Sequence, residues 1–251
     1  MSSNSEMTFL EHVSELRYRV LRVVLCLFLF TFIGFYFSSN ILDLLIKPIS
    51  GIIEKSEVAL QISKPTSIFI TKISIGLFFS LIFSMPVILY EIFIFLLPAF
   101  DKRIILSKAY FFILIAVSFF ISGLIFSYYV LVPISLDFFN HMTMNFIDSS
   151  KYGIAMIQLF NYNDYILYLL RMSFVAGLVF QLPVIVNVLV FMNIVKIGTL
   201  KKLRRYLYLI FFIIAAILTP PDIPTQLLIA VPSIFLYELS ILIASIFKNE
   251  K

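Results

Sequence analysis

The sequence predicts an all-α integral membrane protein, and three observations lead to that prediction. Of the 251 residues, 61% are apolar and only 13% are charged, whereas a soluble domain is nearer half apolar and a quarter charged. The apolar residues form unbroken runs instead of segments of alternating polarity, which favours helices over a β-barrel. Several of these runs are long enough to cross a lipid bilayer as helices.

Six apolar runs are interpreted as membrane spans, because a helix needs about 20 residues to cross the hydrocarbon core. The six spans are predicted at 20–38, 69–93, 109–133, 164–191, 206–219 and 225–246. No internal repeat is visible among them. The whole chain, 1–251, is therefore expected to form one transmembrane domain.

The distribution of Lys and Arg predicts that both termini lie on the inner side of the membrane. One side holds about 13 of the 19 basic residues and the other holds about five, with Arg171 left inside a span, and basic residues concentrate on the inner side. The long connections 39–68 and 134–163 then lie outside and are expected to fold as short helices. An amphipathic stretch at 41–46 is expected to end at Pro48.

The fifth span is short. From Tyr206 to Thr219 a helix would extend only about 21 Å, whereas the hydrocarbon core is about 30 Å thick. The turn from Pro220 to Pro224 follows directly. We therefore expect this polar turn to lie below the normal outer surface, where the bilayer thins or water enters.

Several functional classes find no support in the residues. The one cysteine, Cys26, lies in an apolar run, and His12 and His141 are far apart in the predicted topology. We therefore expect no disulfide, no metal and no cofactor. The absence of intramembrane Ser/His or Asp pairs and of a His-Glu-x-x-His helix argues against an enzyme. Basic residues interleaved with exposed aromatics are also absent, so nucleic acid is not an expected partner.

Four stretches carry a family resemblance, in order over nearly the whole chain. They are Phe9–Arg19, Pro86–Tyr90 continuing through Phe95 to Leu97–Phe100, Gly123–Pro133 with Phe138–Phe139 and Phe180–Pro183, and Leu218–Asp222 followed by Gln226, Ala230, Pro232 and Tyr237–Glu238. Together they resemble the TatC family, the polytopic core subunit of the twin-arginine (Sec-independent) protein translocase.

This resemblance implies a non-enzymatic receptor made of about six transmembrane helices in a concave, kinked bundle. Such a receptor binds the twin-arginine signal peptides of folded cargo and recruits single-span partners of the TatA and TatB types. Transport is driven by the protonmotive force, and the subunit is expected to be a homo-oligomer within the complex. Prolines are expected to kink or connect the helices, namely Pro48, Pro86, Pro133, Pro183, Pro220, Pro221 and Pro232.

The resemblance also implies a signal-peptide site on the inner side. Its candidate residues are Glu15, Leu16, Arg17, Glu91, Phe95, Asp101 and Arg103. A carboxylate at Glu15 could form a bidentate pair with a guanidinium of the signal peptide, although local pairing with Arg19, four residues later, is the alternative. Arg17 is expected to orient Glu15 or to meet anionic headgroups.

The chain departs from the family pattern at a second carboxylate of the first inner loop. The corresponding position here is Ile104, and either Asp101 or Glu91 could supply the missing charge. For Glu91 the alternative interpretation is an interfacial carboxylate that only reaches towards water.

Polar groups within the later spans are candidates for contacts with partner helices. They are Gln181, Thr219, Asp222, Gln226 and Glu238. An intramembrane amide or carboxylate needs a partner, so a structural hydrogen bond is the alternative for Gln181 and a paired or protonated state is expected for Glu238. The partner of Arg171 cannot be identified from the sequence.

Two other functions and three membranes remain open. A secondary transporter would be expected to show an inverted repeat, and a structural assembly subunit would look much like a receptor. The abundance of Phe and Ile and the Leu-Thr-Pro-Pro-Asp turn favour the mitochondrial inner membrane of an organelle-encoded protein. A bacterial plasma membrane is the next choice, and a plastid membrane is possible.

Overall fold

A computed structural model describes residues 9–55, 58–96, 102–148, 158–192, 194–218 and 222–249. Within these ranges, side chains are not described at 9–13, 51–59, 93, 95, 96, 102–110, 146–148, 158, 218 and 247–249. The described residues fall into two compact units. The first lies within Met1–Ser39 and Lys72–Val117, and the second within Asn40–Thr71 and Ser118–Lys251. The prediction of a single domain over 1–251 stays a prediction.

The described chain is almost entirely helical, as the unbroken apolar runs predicted. In order, its elements are α1 Phe9–Tyr36, α2 Ser38–Lys55, β1 Val58–Gln61, α3 Pro65–Leu96, α4 Lys102–Phe126, a π-helical segment Ser127–Leu131, α5 Val132–Asp148, β2 Gln158–Asn161, α6 Tyr162–Val179, α7 Leu182–Phe191, α8 Ile197–Leu218 and α9 Ile223–Asn249.

Within the part of the chain that the structure describes, five helical segments are long and apolar enough to cross a membrane. They are Ser14–Tyr36, Pro65–Ile92, Phe111–Asn145, Tyr162–Phe191 and Ile223–Ile246. Each contains or closely overlaps one of the predicted spans. Their exposed surfaces are rich in Leu, Ile and Phe, which is the surface expected of helices that face lipid.

The remaining predicted span corresponds to α8. Its first half carries Lys201, Lys202, Arg204 and Arg205, so the apolar part begins only at Tyr206. That part extends about 20 Å, which agrees with the short fifth span expected from the sequence.

A π-helical segment precedes Pro133. The N–H of Val132 bonds to the carbonyl of Ser127, five residues earlier. Proline lacks an N–H and crowds the preceding turn of an α-helix, and one wider turn is a common way to accommodate such a disturbance. The helix therefore continues to Asp148, although the sequence analysis placed 134–163 in a connection.

The expectation that the amphipathic stretch ends at Pro48 is wrong. The helix α2 runs through Pro48 to Lys55. Proline at 48 cannot donate to the carbonyl of Leu44, but the hydroxyl of Tyr128 donates to that carbonyl at 2.9 Å. The hydroxyl of Tyr165 likewise donates to the carbonyl of Leu45 at 2.8 Å. Two tyrosines from distant segments thus satisfy the backbone beside the proline.

A short parallel ribbon joins the two outer connections, and the sequence analysis missed it. Val58 to Gln61 of β1 pair in register with Gln158 to Asn161 of β2. The Asn161 side chain then accepts from the N–H of Asn163 at 3.1 Å and so caps α6. A four-residue strand is invisible to a hydropathy reading because it is too short to show periodicity.

Within the second unit, α7, α8 and α9 share a hydrophobic cluster that includes Val186, Phe211, Tyr237 and Ile241. The hydroxyl of Tyr237 is satisfied by the carbonyl of Leu200 at 3.0 Å. Proline 183 stands in the first turn of α7, where its missing N–H costs least, whereas Pro86 and Pro232 lie inside α3 and α9.

Each unit also contains a close helix crossing at glycine. In the first, a Cβ on Gly34 would lie 3.0 Å from the Cα of Gly76. In the second, a Cβ on Gly123 would lie 2.7 Å from the carbonyl oxygen of Ala176 and 2.9 Å from the Cα of Gly177. These helices approach so closely that no larger residue fits without displacing backbone.

Candidate functional site

Four charged side chains meet in the first unit, three from α1 and one from α3. The Nη1 atom of Arg19 lies 2.9 Å from Oε2 of Glu91, and the Nη1 atom of Arg22 lies 2.7 Å from Oε1 of the same carboxylate. Arg19 also donates to Oε1 of Glu15, through Nε at 3.2 Å and through Nη2. We call these four residues the inner charge cluster.

Helical spacing explains why α1 presents three of these residues together. Positions 15, 19 and 22 are separated by four and three residues, which places them on one side of a helix. Glu91 lies 72 residues from Arg19 along the chain. Residues of α1 and of the last part of α3 therefore form the cluster together.

The cluster is graded in burial. The side chains of Glu91 and Arg19 are only 6% and 11% exposed, that of Glu15 is 25% exposed, and that of Arg22 is 59% exposed. Two carboxylates and two guanidinium groups balance in formal charge, so each buried charge has a partner, as burial requires.

One acceptor of the cluster remains unused. The Oε2 atom of Glu15 is buried and has no hydrogen-bond partner among the residues that the structure describes. A buried carboxylate oxygen without a donor carries a desolvation cost of about 1–3 kcal/mol or more. Chemically, the site can therefore accept one further guanidinium or ammonium donor at this atom.

The other predicted residues of this site are less well placed or less well described. Leu16 and Arg17 are exposed, and Arg17 forms no ion pair within the described chain. The expectation that Arg17 orients Glu15 is wrong, because residues two apart on a helix point in different directions; Arg19 holds Glu15 instead. The headgroup interpretation of Arg17 stays a prediction.

Three further candidates cannot be placed as side chains. Phe95 lies in α3 and Arg103 in α4, but only their backbone is described, and Asp101 lies outside the described residues. Ile104 likewise has only a described backbone position. Of the two acids that could replace the family's missing carboxylate, Glu91 is described, and it shares Arg19 with Glu15.

The candidates for partner-helix contacts are spread along the second unit. Asp222 accepts from the N–H of Thr225 at 2.8 Å and so caps α9, with Gln226 half-buried one residue beyond Thr225. The second carboxylate oxygen of Asp222 and the hydroxyl of Thr225 are buried without partners among the described residues. Thr219, Pro220 and Pro221 lie outside the described residues.

Glu238 lies in a different part of α9. It is twelve residues, or about 18 Å, from Gln226 along the helix. Its carboxylate accepts from Nη2 of Arg204 at 2.6 Å and from the hydroxyl of Tyr208. The paired state expected for Glu238 is therefore found, and its partners come from α8 of the same chain.

Gln181 is buried at the junction of α6 and α7, where its backbone carbonyl accepts from the N–H of Ile185 at 2.9 Å. A role for Gln181 towards partner helices stays a prediction. Sequence reasoning named Arg19 only as the alternative partner of Glu15 and assigned no site role to Arg22, Arg204 or Tyr208. The four-residue spacing to Glu15 was the one available signal, and it pointed to Arg19 alone.

Comparison with known proteins identifies the family. The family model described as Sec-independent protein translocase protein (TatC) matches residues 11–232, which include the inner charge cluster and the start of α9. The chain belongs to the TatC family. The family resemblance drawn from the four sequence stretches is therefore confirmed.

Individual TatC proteins are similar over almost the whole chain. The Sec-independent protein translocase protein TatCy of Bacillus subtilis (strain 168) is 31% identical over 243 residues, which are 96% of this chain and 89% of that protein. The TatC of Azotobacter chroococcum mcd 1 is 28% identical over 95% of this chain and 89% of its own. A crystal structure of the twin-arginine translocase receptor TatC in DDM superposes with a TM-score of 0.80 at 30% identity. It covers 93% of this chain and 99% of the other.

Family membership fixes the general character of the protein. It is a multi-pass, all-helical membrane protein of protein transport, with the six spans of the TatC family, and it is a translocase component rather than an enzyme. The relatives named above are bacterial, and they give no support to the mitochondrial inner membrane that composition favoured.

Proposed function

We propose that this chain is the receptor subunit of a twin-arginine protein translocase and that the inner charge cluster receives the arginines of the signal peptide. The single observation that carries this proposal is that Glu15 and Glu91 both pair with Arg19 in one partly buried network that already binds guanidinium groups. Solved TatC structures described as twin-arginine translocase receptors support the choice of ligand.

Glu15 offers the first contact. Its Oε2 atom has no donor among the residues that the structure describes, and a charge-assisted bond to a guanidinium is about twice as strong as a neutral hydrogen bond. A guanidinium has five N–H donors, so it can donate to Oε2 of Glu15 and to a second acceptor at once, whereas a lysine ammonium is a compact, strongly hydrated point charge. The geometry thus favours arginine over lysine.

Glu91 offers the second contact only after a resident arginine leaves. Its carboxylate is held by Arg19 and Arg22. Arg22, at 59% exposure, is far more accessible than Arg19 at 11%, so its ion pair is the weaker and the more easily exchanged. We propose that a signal-peptide arginine displaces Arg22 from Oε1 of Glu91.

Binding of a signal peptide to the purified full chain tests this scheme. A peptide with two adjacent arginines should bind at least about tenfold more tightly than its twin-lysine variant, as one additional charge-assisted bond predicts. Glu15→Gln should remove most of this preference, and Glu91→Gln should weaken it. Arg22→Gln should tighten binding several-fold because it frees Oε1 of Glu91.

Arg17→Gln is the matched control, since Arg17 is an exposed arginine of the same helix without an ion pair among the described residues. It should leave the preference unchanged. Equal binding of the two peptides by the unaltered chain would refute the receptor role. An unchanged preference in both glutamate variants would instead refute this location for the site.

We propose a separate contact for TatA- or TatB-type single-span partners at the N-terminal end of α9. Oδ2 of Asp222 and the hydroxyl of Thr225 are buried without partners among the described residues, and Gln226 adds an amide. Such bonds within a membrane contribute about 0.6–2 kcal/mol each. Thr219 belongs to the same proposal by sequence.

Crosslinking tests the partner contact. Gln226→Leu combined with Thr219→Leu should weaken crosslinks to a single-span partner and leave signal-peptide binding intact. Unchanged partner crosslinks would show that this end of α9 is only a helix start. We also propose that the chain contacts lipid and that a second copy of it is present within the complex.

We propose an inside location for both termini in a bacterial plasma membrane, the setting that the bacterial relatives support better than a mitochondrial one. The split of basic residues motivates the orientation. With Cys26 replaced by Ser, a cysteine at Ser63 should react with an impermeant maleimide from outside, whereas one at Thr199 should react only from inside. The reverse labelling would overturn the orientation.

A further inference from the structure

Arg171 lies on an exposed face of the fourth span. Asp164, Arg171 and Leu178 are all exposed on α6. They are seven residues apart, so each lies almost directly above the next on one side of the helix. We call these three residues the α6 stripe.

Arg171 lies inside the apolar part of this span. The span runs Tyr162–Phe191, and Arg171 is seven residues, or about 10 Å, further along the helix than Asp164. An arginine at such a position costs at least about 2.5 kcal/mol when it faces lipid without a partner. A span that keeps this residue needs a counter-charge for it.

The chain itself supplies no such counter-charge within the residues that the structure describes. The positions three and four residues away on α6 hold Leu167, Tyr168, Phe174 and Val175. Glu15 and Glu91 are paired with Arg19 and Arg22, Glu238 is paired with Arg204, and Asp222 caps α9. Asp137, an exposed acid of α5, forms no ion pair with Arg171 among the described residues.

We infer that the α6 stripe is a docking surface for a transmembrane helix of another protein, one that carries a carboxylate at the depth of Arg171 and a cation at the depth of Asp164. Opposite charges at these two levels would neutralise both charged residues of the stripe. Leu178, at 44% exposure, would contact the apolar remainder of that helix.

Charge complementarity excludes a symmetric second copy on this face. Two copies in one membrane share an orientation, so a two-fold axis along the membrane normal would set Asp164 against Asp164 and Arg171 against Arg171. Both contacts are repulsive. A lipid phosphate is disfavoured in a similar way, because Asp164 lies near the end of the span where phosphates are found and repels them.

This surface is distinct from the inner charge cluster and from the N-terminal end of α9, and it does not depend on recognition of twin arginines. Its test uses the full chain in phosphatidylcholine vesicles with designed single-span peptides. The probe is a leucine-rich helix with one Glu in the apolar part and one Lys seven residues nearer the end. The comparison peptide has Gln in place of Glu, and association is measured by resonance energy transfer.

The unaltered chain should bind the Glu peptide about tenfold or more tightly than the Gln peptide, which corresponds to one charge-assisted contact. Arg171→Leu should abolish this preference. Arg171→Glu should transfer the preference to a peptide with Arg at the Glu position. The matched control is Arg205→Leu, which removes another exposed arginine of the same unit and should leave the preference unchanged.

Three results would overturn the proposal: no preference in the unaltered chain, the same preference in Arg171→Leu, or loss of the preference when a third of the lipid is phosphatidylglycerol. The last result would identify a lipid phosphate as the ligand of Arg171. Signal-peptide binding should stay unchanged in Arg171→Leu, which shows that this variant is folded and separates failure of this proposal from failure of the receptor role.

Discussion

Two arginine–glutamate clusters, one in each compact unit, use the same pair of side chains at different depths of burial. In the inner charge cluster, Glu91 and Arg19 are 6% and 11% exposed. In the second unit, Glu238 and Arg204 are 29% and 40% exposed, with Tyr208 as an additional donor to Glu238. The first cluster links α1 to α3, and the second links α8 to α9.

The difference in burial assigns them different roles. A partly exposed pair contributes little to stability and can be lost at low cost. A buried charge that loses its partner is costly, because it can neither return to water nor find another donor. Among the described residues, Oε2 of Glu15 in the inner charge cluster has no donor. The cluster therefore combines a strong structural requirement for its paired charges with the capacity to accept one more cation.

Removing the buried acid should have the largest effect on stability. Glu91→Leu leaves Arg19 with Glu15 alone and should lower the free energy of unfolding by about 3–5 kcal/mol. Glu238→Leu should cost about 1 kcal/mol or less. Thermal or denaturant unfolding in detergent measures both. Equal losses would show that burial does not separate the two clusters.

Substitutions at the close helix crossings test whether the two units are packed equally tightly at their glycines. Gly34→Ala and Gly123→Ala place a Cβ against backbone of a neighbouring helix and should each cost about 1–3 kcal/mol. Gly198→Ala is the control, because a Cβ there would meet nothing within 4 Å. It should be neutral or slightly stabilising, and a comparable loss at Gly198 would contradict the packing explanation.

The smallest expected effect concerns the backbone beside Pro48 in the second unit. Tyr128→Phe removes the donor to the carbonyl of Leu44 and should cost about 1 kcal/mol. Tyr129→Phe, at a neighbouring position that is 71% exposed, should change the same unfolding measurement by much less. Similar losses of stability in the two variants would mean that water donates to the carbonyl of Leu44 as well as Tyr128 does.

The sequence was sufficient for the helical fold and for the family. In lipid, an unbroken apolar run is stable as a helix because its backbone groups pair within the helix. The position of each span therefore follows from the local sequence. The short apolar part of α8 followed from counting residues after Arg205. The resemblance to the family singled out Glu15 and Glu91 as candidates without any knowledge of their contacts.

The contacts among those charges were decided by tertiary structure. Glu91 meets Arg19 over 72 positions and Glu238 meets Arg204 over 34, distances at which hydropathy carries no information about which helices pack together. The same is true of Tyr128, whose hydroxyl serves a carbonyl 84 positions away and so allows α2 to pass through Pro48. A charge in an apolar run needs an ion-pair partner, and a proline in a helix leaves a carbonyl that needs another donor. The sequence shows that such a partner is needed, but the packing of distant helices determines which group supplies it.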